Sequence, residues 1–498
     1  MPDDFNTLKT LDEVKKGNLR MTCKPQEDTA RRHVACGIIP FLYIYSTVHS
    51  HSMTHGEAME PKRDVLLEQE VSQIVGDDGS RVSLMASRLK RSEILKIATD
   101  IRAMVAEGKD ICDLTVGDFH PSQFRIPKLL EDSIKDALTR GETNYPPTEG
   151  MSELKRSVGE LYRRRLGLDY PPESIVITGG SRPGIYSTYS TLLDPGDIVV
   201  YPVPSWNNNH YSHLARALGR VVSCGPKTAF LPTRAMLEEA VKGARLIALN
   251  SPLNPTGTAF SKQTLGEICD LVLEVNDVRK RTGERPLYVL YDQVYWMLTF
   301  GSTEHVHPVG VRPEMDKYTI YVDGISKAFA ATGVRVGWTV GPRDIVQRMA
   351  SMLAHIGAWA PRAEQAGTAL FLSSPEDVNE YNELIKSGIH QRLDELYTGI
   401  VSLGNQGFPV KAIEPMGAIY LSVRFSLMGS LTAEGTIMTS NEDIRRYLLR
   451  EARVALVPFE AFGSHDSMGW FRLSAGAVSV EGIRKMCGRL REALGVLR

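Results

Sequence analysis

A chain of 498 residues with 42% apolar and 23% charged residues has the make-up of a soluble globular protein of roughly two to four domains. Its net charge of −1 removes any global electrostatic case for binding nucleic acid or an anionic membrane. The six cysteines, Cys23, Cys36, Cys112, Cys224, Cys269 and Cys487, are scattered and form no Cys-x-x-Cys pair. Neither a zinc site nor a disulfide scaffold is therefore indicated, and a reducing cytoplasm is expected.

Residues 1–84 lack sustained periodicity and read as a poorly ordered N-terminal extension. The apolar run 34–48, broken by Pro40, is shorter than the ~20 residues needed to span a bilayer. Arg31-Arg32 precedes it as in a twin-arginine signal, but the run lies deep in the chain and has no Ala-x-Ala site, so secretion is not expected. His49, His51 and His55 fall in a Ser/Thr-rich stretch and read as tail, not as a metal site. Ordered patterning begins after Met85, which makes that residue a candidate natural start.

Segment 87–107 has helical spacing through Leu89, Ile94, Leu95, Ile97, Ile101 and Val105. From Glu173 onward short apolar runs alternate with helical patterns. The strand candidates are 174–178, 197–201, 221–224, 246–250, 287–291, 319–322 and 336–340, and helices are expected at 185–193, 210–218, 234–241 and 262–275. Such alternation predicts an α/β unit with a mostly parallel sheet, whose active site collects at the strand carboxyl ends. Beyond about residue 345 the pattern becomes α+β. It shows a long helix from 375 towards 403, strand-like 418–423, helix 442–451, strand-like 455–457 and 470–473, and helix 480–494. The expected division is an extension at 1–84, small-domain residues at 85–125 and 346–498, and a large domain at 126–345.

The residues that carry chemistry fall at the predicted strand ends. Lys327, in Gly324-Ile325-Ser326-Lys327-Ala328-Phe329, follows the apolar run 319–322. A lysine is usually a solvated surface residue, but a desolvated one loses its proton more readily and becomes a nucleophile. Asn254-Pro255-Thr256-Gly257 turns after one strand, and Asp292 and Tyr295 lie three residues apart after another. Gly179-Gly180-Ser181 joins a strand to a helix, where backbone N–H groups can meet an anion. Arg472, between Phe471 and Leu473, needs a partner, and a carboxylate matches its fork.

Together these signals resemble the class I/II aminotransferases, the fold-type I enzymes that use pyridoxal 5′-phosphate, over about residues 88 to 498. The resemblance implies a large domain with a mostly parallel seven-stranded sheet flanked by helices, plus a smaller α+β domain. It implies that Lys327 forms a Schiff base with the cofactor aldehyde and acts as general base. Asp292 would pair with the pyridine nitrogen, and Tyr295 and Asn254 would donate to the phenolic oxygen. Trp206 would stack on the ring. Gly180, Ser181, Ser326 and Arg335 would hold the phosphate, together with a Tyr145 reaching in from a second subunit of a homodimer. Arg472 would clamp the substrate carboxylate, with the backbone N–H of Gly117 helping. An L-amino acid and a 2-oxo acid would react by a ping-pong route, with aspartate-type or broad specificity.

Two departures from the family pattern stand out. Arg182-Pro183 follows the phosphate loop, and Asn207-Asn208-Asn209-His210 follows Trp206. Arg182 would contact the phosphate or an acidic side chain of the substrate. The same scaffold also serves β-decarboxylases and carbon–sulfur lyases, and less closely a cofactor-binding regulator. Residues 1–84 show no helix-turn-helix pattern to support that last reading.

Overall fold

The protein was analysed as a computed structural model that describes residues 81–89 and 93–498. All of these lie in the second of two compact units, which begins at Asp78. Residues 1–80 of the expected extension, with its three histidines and the run 34–48, lie outside the described residues.

Strand β1 (Cys112–Asp113) precedes a seven-stranded sheet formed by β2 (Ile175–Thr178), β3 (Ile198–Val203), β4 (Leu218–Ser223), β5 (Ala244–Asn250), β6 (Tyr288–Asp292), β7 (Thr319–Gly324) and β8 (Gly337–Val340). The strand order is β2-β8-β7-β6-β5-β3-β4. β8 runs antiparallel to both of its neighbours, and all other pairs are parallel. The central strands are covered on both faces, which is why β5, β6 and β7 read as nearly continuous apolar runs. Helix Ser181–Leu192 leads from edge strand β2 to β3 over one face, and Lys262–Thr282 links the parallel neighbours β5 and β6 over the other. The second is capped by Ser261, whose hydroxyl accepts from the Thr264 N–H at 3.0 Å, and it ends at left-handed Gly283.

Four antiparallel strands form a second sheet: β9 (Val410–Ala412), β10 (Tyr420–Phe425), β12 (Val457–Pro458) and β13 (Trp470–Ser474), in the order β12-β13-β10-β9. A short strand before β12, β11 (Val454–Ala455), pairs in parallel with β1. Helix Pro375–Asn405 buries Val378 in the apolar core of the large sheet, and Ile385, Ile389, Leu393 and Leu396 in that of the small sheet.

Several elements differ from the sequence expectation. Within segment 87–107 the helix is Glu93–Ala106, and a separate short helix, Leu84–Ser87, ends where the segment begins. Helix 210–218 is Asn208–Leu214, because the chain turns at left-handed Arg216 and Leu218 already opens β4. Segment 234–241 keeps only the turn Arg234–Leu237 as α-helix, whereas helix 262–275 extends to Thr282. The run 455–457 divides between β11 and β12, which pair with different strands.

Beneath the carboxyl ends of β6 and β7 lies a buried polar platform. Asp323 Oδ2 accepts from Trp296 Nε1 at 2.8 Å and from the Tyr162 hydroxyl at 3.1 Å. That hydroxyl in turn accepts from Trp338 Nε1 and Gln293 Nε2, each at 3.1 Å. Burial pushes Asp323 up to about 8. Its Oδ1 accepts from the N–H of Gly324 at 2.7 Å and so anchors the turn that leads to Lys327.

Candidate functional site

The carboxyl ends of β2, β5, β6 and β7, together with β13 and the loop after β1, enclose a cavity of about 750 Å³. Lys327 reaches it from the one-turn helix Ile325–Ala328 that follows β7. Its Nζ donates to the Gly117 carbonyl at 2.5 Å. Burial pulls its pKa down from 10.5 to about 8; Asp118 opposes this, while Arg472, Arg182 and Arg335 add to it. Asp292 stands at the end of β6 and lines the same cavity. Burial pushes its carboxyl up to about 6, against the Val294 N–H, which donates to Oδ1 at 3.2 Å, and the charge of Lys327.

Arg472, in β13, is 1% exposed. Its guanidinium carbon lies 4.7 Å from the ring centroid of Tyr420 and 4.8 Å from that of Phe462. Nη1 donates to Asn254 Oδ1 at 3.1 Å and Nη2 to the Thr115 carbonyl at 2.5 Å, while Nε has no partner among the described residues. Asn254 is held by its own N–H, which donates to Asn250 Oδ1 at 2.8 Å. Tyr295 is buried, and its hydroxyl meets that of Tyr420 at 2.7 Å.

At the opposite wall, Gly180 adopts φ +87° between β2 and the helix that starts at Ser181. A Cβ at Gly180 would collide with the Arg335 guanidinium, so glycine is required here by both conformation and space. Arg335 donates to the carbonyls of Thr332 at 2.6 Å and Gly179 at 3.1 Å. Ser181 and Ser326 line the cavity beside it. The Arg182 guanidinium carbon lies 5.6 Å from the Trp206 ring centroid, and Trp206 packs against Phe462.

The wall therefore holds five cationic side chains, Arg102, Arg182, Lys327, Arg335 and Arg472, against three carboxylates, Asp113, Asp118 and Asp292. The acceptors of Lys327, Arg335 and Arg472 are all neutral oxygens. Buried cations without anionic partners are costly, so the cavity is built to receive anions.

The family model described as aminotransferase class I and II matches residues 109–490. This chain is a class I and II aminotransferase. An aspartate aminotransferase of Rhizobium meliloti is 30% identical over 417 residues, taking in 82% of this chain and 96% of that protein. The aspartate/prephenate aminotransferase of Thermus thermophilus is 29% identical over 419 residues, 83% of this chain and 99% of that one. Among solved structures, the aspartate aminotransferase from Rhizobium meliloti matches with a TM-score of 0.76 at 28% identity, covering 84% of this chain and 100% of the other. An aromatic aminotransferase from Pyrococcus horikoshii matches with a TM-score of 0.69 at 26% identity, covering 80% and 98%.

The aminotransferase uses pyridoxal 5′-phosphate and takes amino acid and 2-oxo acid substrates. The cavity fits that cofactor. The Gly180 turn and Arg335 suit a phosphate dianion, and a pyridinium would neutralise the buried Asp292. Lys327 offers an amine that is easily deprotonated, and the Arg472 guanidinium, bonded only to neutral oxygens, suits a carboxylate.

Of the residues singled out in the sequence, Gly117, Ser181, Arg182, Trp206 and Asn254 line this one cavity. So do Asp292, Tyr295, Ser326, Lys327, Arg335 and Arg472. Gly180 supports it from behind. Tyr145 is 82% exposed and stands outside it, edge-on to Trp359. Sequence reasoning missed Tyr420, Phe462, Thr115 and Arg102. Tyr420 lies within a strand that was expected, but no local pattern sets it apart from a core tyrosine. Among the described residues, no helix is long and apolar enough to cross a membrane.

Proposed function

We propose that this aminotransferase takes an acidic L-amino acid, aspartate foremost, as amino donor and a 2-oxo acid as acceptor, through a site shared between two subunits. The observation that carries the reading is the surplus of cations on one cavity wall, where Arg472, sealed between two aromatic rings with neutral partners only, is joined by further arginines. A carboxylate is the ligand that such a guanidinium lacks. Arg182 and Arg102 line the same cavity and suit the second carboxylate of an acidic substrate. The names of the relatives from Rhizobium meliloti and Thermus thermophilus point the same way.

When bound, pyridoxal phosphate supplies an aldehyde that condenses with amines and a ring that accepts the electron pair freed at the substrate Cα. The chain's residues do the rest. Arg472 fixes the α-carboxylate, and Asn254, bonded to Arg472, is held beside it. Lys327 Nζ, neutral in part near pH 8, would take the Cα proton and would hand it back to the carbon of the cofactor's former aldehyde. Asp292 would hold a proton on the pyridine nitrogen by its charge, and Tyr295 would donate to the phenolic oxygen. Ser181, Ser326 and Arg335 would secure the phosphate, while Trp206 would cover the ring face.

Tyr145, exposed on one subunit, is assigned to the phosphate of the partner's site, and the functional unit is a homodimer. A reducing compartment, the cytoplasm, is proposed on the four described cysteines, which are all free thiols.

The test is a half-reaction screen. Holoenzyme is mixed with single amino acids without acceptor, and cofactor absorbance is followed. Aspartate and glutamate should convert it fastest, with one equivalent of 2-oxo acid released per site. Faster conversion by an apolar amino acid would remove the acidic preference. Pyruvate and ammonia released continuously without acceptor would point to lyase chemistry instead.

A further inference from the structure

Tyr295 and Tyr420 form a buried pair of phenols, 4% and 1% exposed, that both line the cavity. Their hydroxyls meet at 2.7 Å, the only hydrogen bond found for either group among the described residues. Each phenol has one proton to give, and burial raises both pKa values, so both protons are present at neutral pH.

Which proton lies between the two oxygens decides what Tyr295 can do. If Tyr295 donates to Tyr420, the proton of Tyr420 is left without an acceptor among the described residues. It would also lie beside the guanidinium of Arg472, 4.7 Å from the Tyr420 ring centroid. If Tyr420 donates instead, its proton points away from that positive charge and makes the one hydrogen bond available. The proton of Tyr295 is then free to face the cavity. A Cβ at Gly117 would stand only 2.7 Å from the Tyr420 hydroxyl, so the glycine loop closes over it. The charged groups facing the pair are Arg472, Asp118 and Asp292. Lys327 Nζ lies 6.0 Å from the Tyr295 ring centroid.

We propose that Tyr420 is a positioning residue, whose hydroxyl donates to Tyr295 Oη and so aims the Tyr295 proton at the cofactor's phenolic oxygen. This rests on the reading that Tyr295 contacts that oxygen. A better-aimed donor stabilises the anionic phenolic oxygen, which weakens proton binding at the neighbouring imine nitrogen. Losing the Tyr420 proton should therefore raise the pH at which the bound cofactor's absorbance titrates.

Tyr420→Phe removes only the hydroxyl and keeps the ring against Arg472. Holoenzymes carrying Tyr420→Phe, Tyr295→Phe and both are titrated by absorbance, and kcat and KM are measured. Tyr420→Phe should raise the titration midpoint by about half a pH unit, the effect of one modest hydrogen bond. kcat should fall about threefold, with KM for the amino donor unchanged because Arg472 keeps its stacking. The double variant should titrate like Tyr295→Phe alone. An unmoved midpoint in Tyr420→Phe, with Tyr295→Phe shifted, overturns the role of Tyr420 alone. So does a double variant whose shifts simply add. An unmoved midpoint in Tyr295→Phe overturns both this role and the reading of Tyr295.

Discussion

Replacing Arg472 with methionine should separate catalysis from stability. In the native protein Arg472 is 1% exposed, burial lowers its pKa, and Nε has no partner among the described residues. The substitution removes hydrogen bonds to Asn254 and Thr115, worth about 1 kcal/mol each, and stacking on two rings worth about the same again. Against these stands the removal of an uncompensated buried charge, which costs several kcal/mol. Apoprotein stability should therefore stay within about 2 kcal/mol of wild type. The substrate carboxylate loses its bidentate partner in a dry site, roughly 3–5 kcal/mol. That corresponds to a fall in kcat/KM of about two to four powers of ten. Urea unfolding of the apoprotein and steady-state kinetics of the holoenzyme measure the two quantities on one preparation. A loss in kcat/KM below tenfold would refute the clamp. A stability loss as large as the kinetic one would show that Arg472 serves packing.

Lys327→Ala should abolish turnover and the absorbance of covalently held cofactor, and retained wild-type activity would sink the scheme. With the Lys327 pKa lowered from 10.5 to about 8, roughly a tenth of the amine is neutral at pH 7 and half at pH 8. The rate at which apoprotein captures pyridoxal phosphate should rise about fivefold between those pH values, and a flat stopped-flow profile would refute this. The same shift makes apoprotein stability rise from pH 8 to 10.5, where the unfolded chain binds a proton that the native lysine has shed. Asp292 has the opposite sign. Its carboxyl is raised from 3.8 to about 6, so its contribution to stability falls as pH climbs through that window. Asp292→Asn should flatten the apoprotein stability profile between pH 4 and 6 while cutting kcat by about 100-fold or more, and an unchanged profile would count against it. Gly180→Ala should cost about 1–3 kcal/mol through its left-handed backbone and its clash with Arg335. The reading is a lower melting temperature and weaker pyridoxal phosphate affinity, and wild-type values for both would contradict it.

What could be read in advance follows from where the information sits. Strands β5, β6 and β7 are apolar on both faces, so their position and the polar residues at their ends, Asn250, Asp292 and the Lys327 turn, are local facts of sequence. β4 is an exposed edge strand, and its first residues carry no apolar signal beyond Leu218, so it blurred into the preceding helix. The split of 455–457 depends on which strand each half meets, a long-range matter. Arg472 was legible as a charge among apolar neighbours. Tyr420 was not, because its role depends on a hydroxyl contact with a residue 125 positions away. The rings that enclose Arg472 come from β10 and from the turn Phe459–Phe462, and only the folded chain joins them.

The antiparallel β8 has a further consequence. β7 and β8 are locked in register at Gly324 opposite Gly337 and Asp323 opposite Trp338. Lys327 and Arg335 both lie on the link between them, which has fixed ends. A Cβ at Gly337 would meet the backbone of Gly180 and Ser181, so the far end of that link is pressed against the phosphate loop as well. Inserting or deleting one residue between Gly324 and Gly337 would have to displace the amine, the guanidinium or the sheet. Side chains there can be exchanged one at a time, but the length of the link is inherited whole. Loop grafting between homologues should therefore succeed only with segments of equal length.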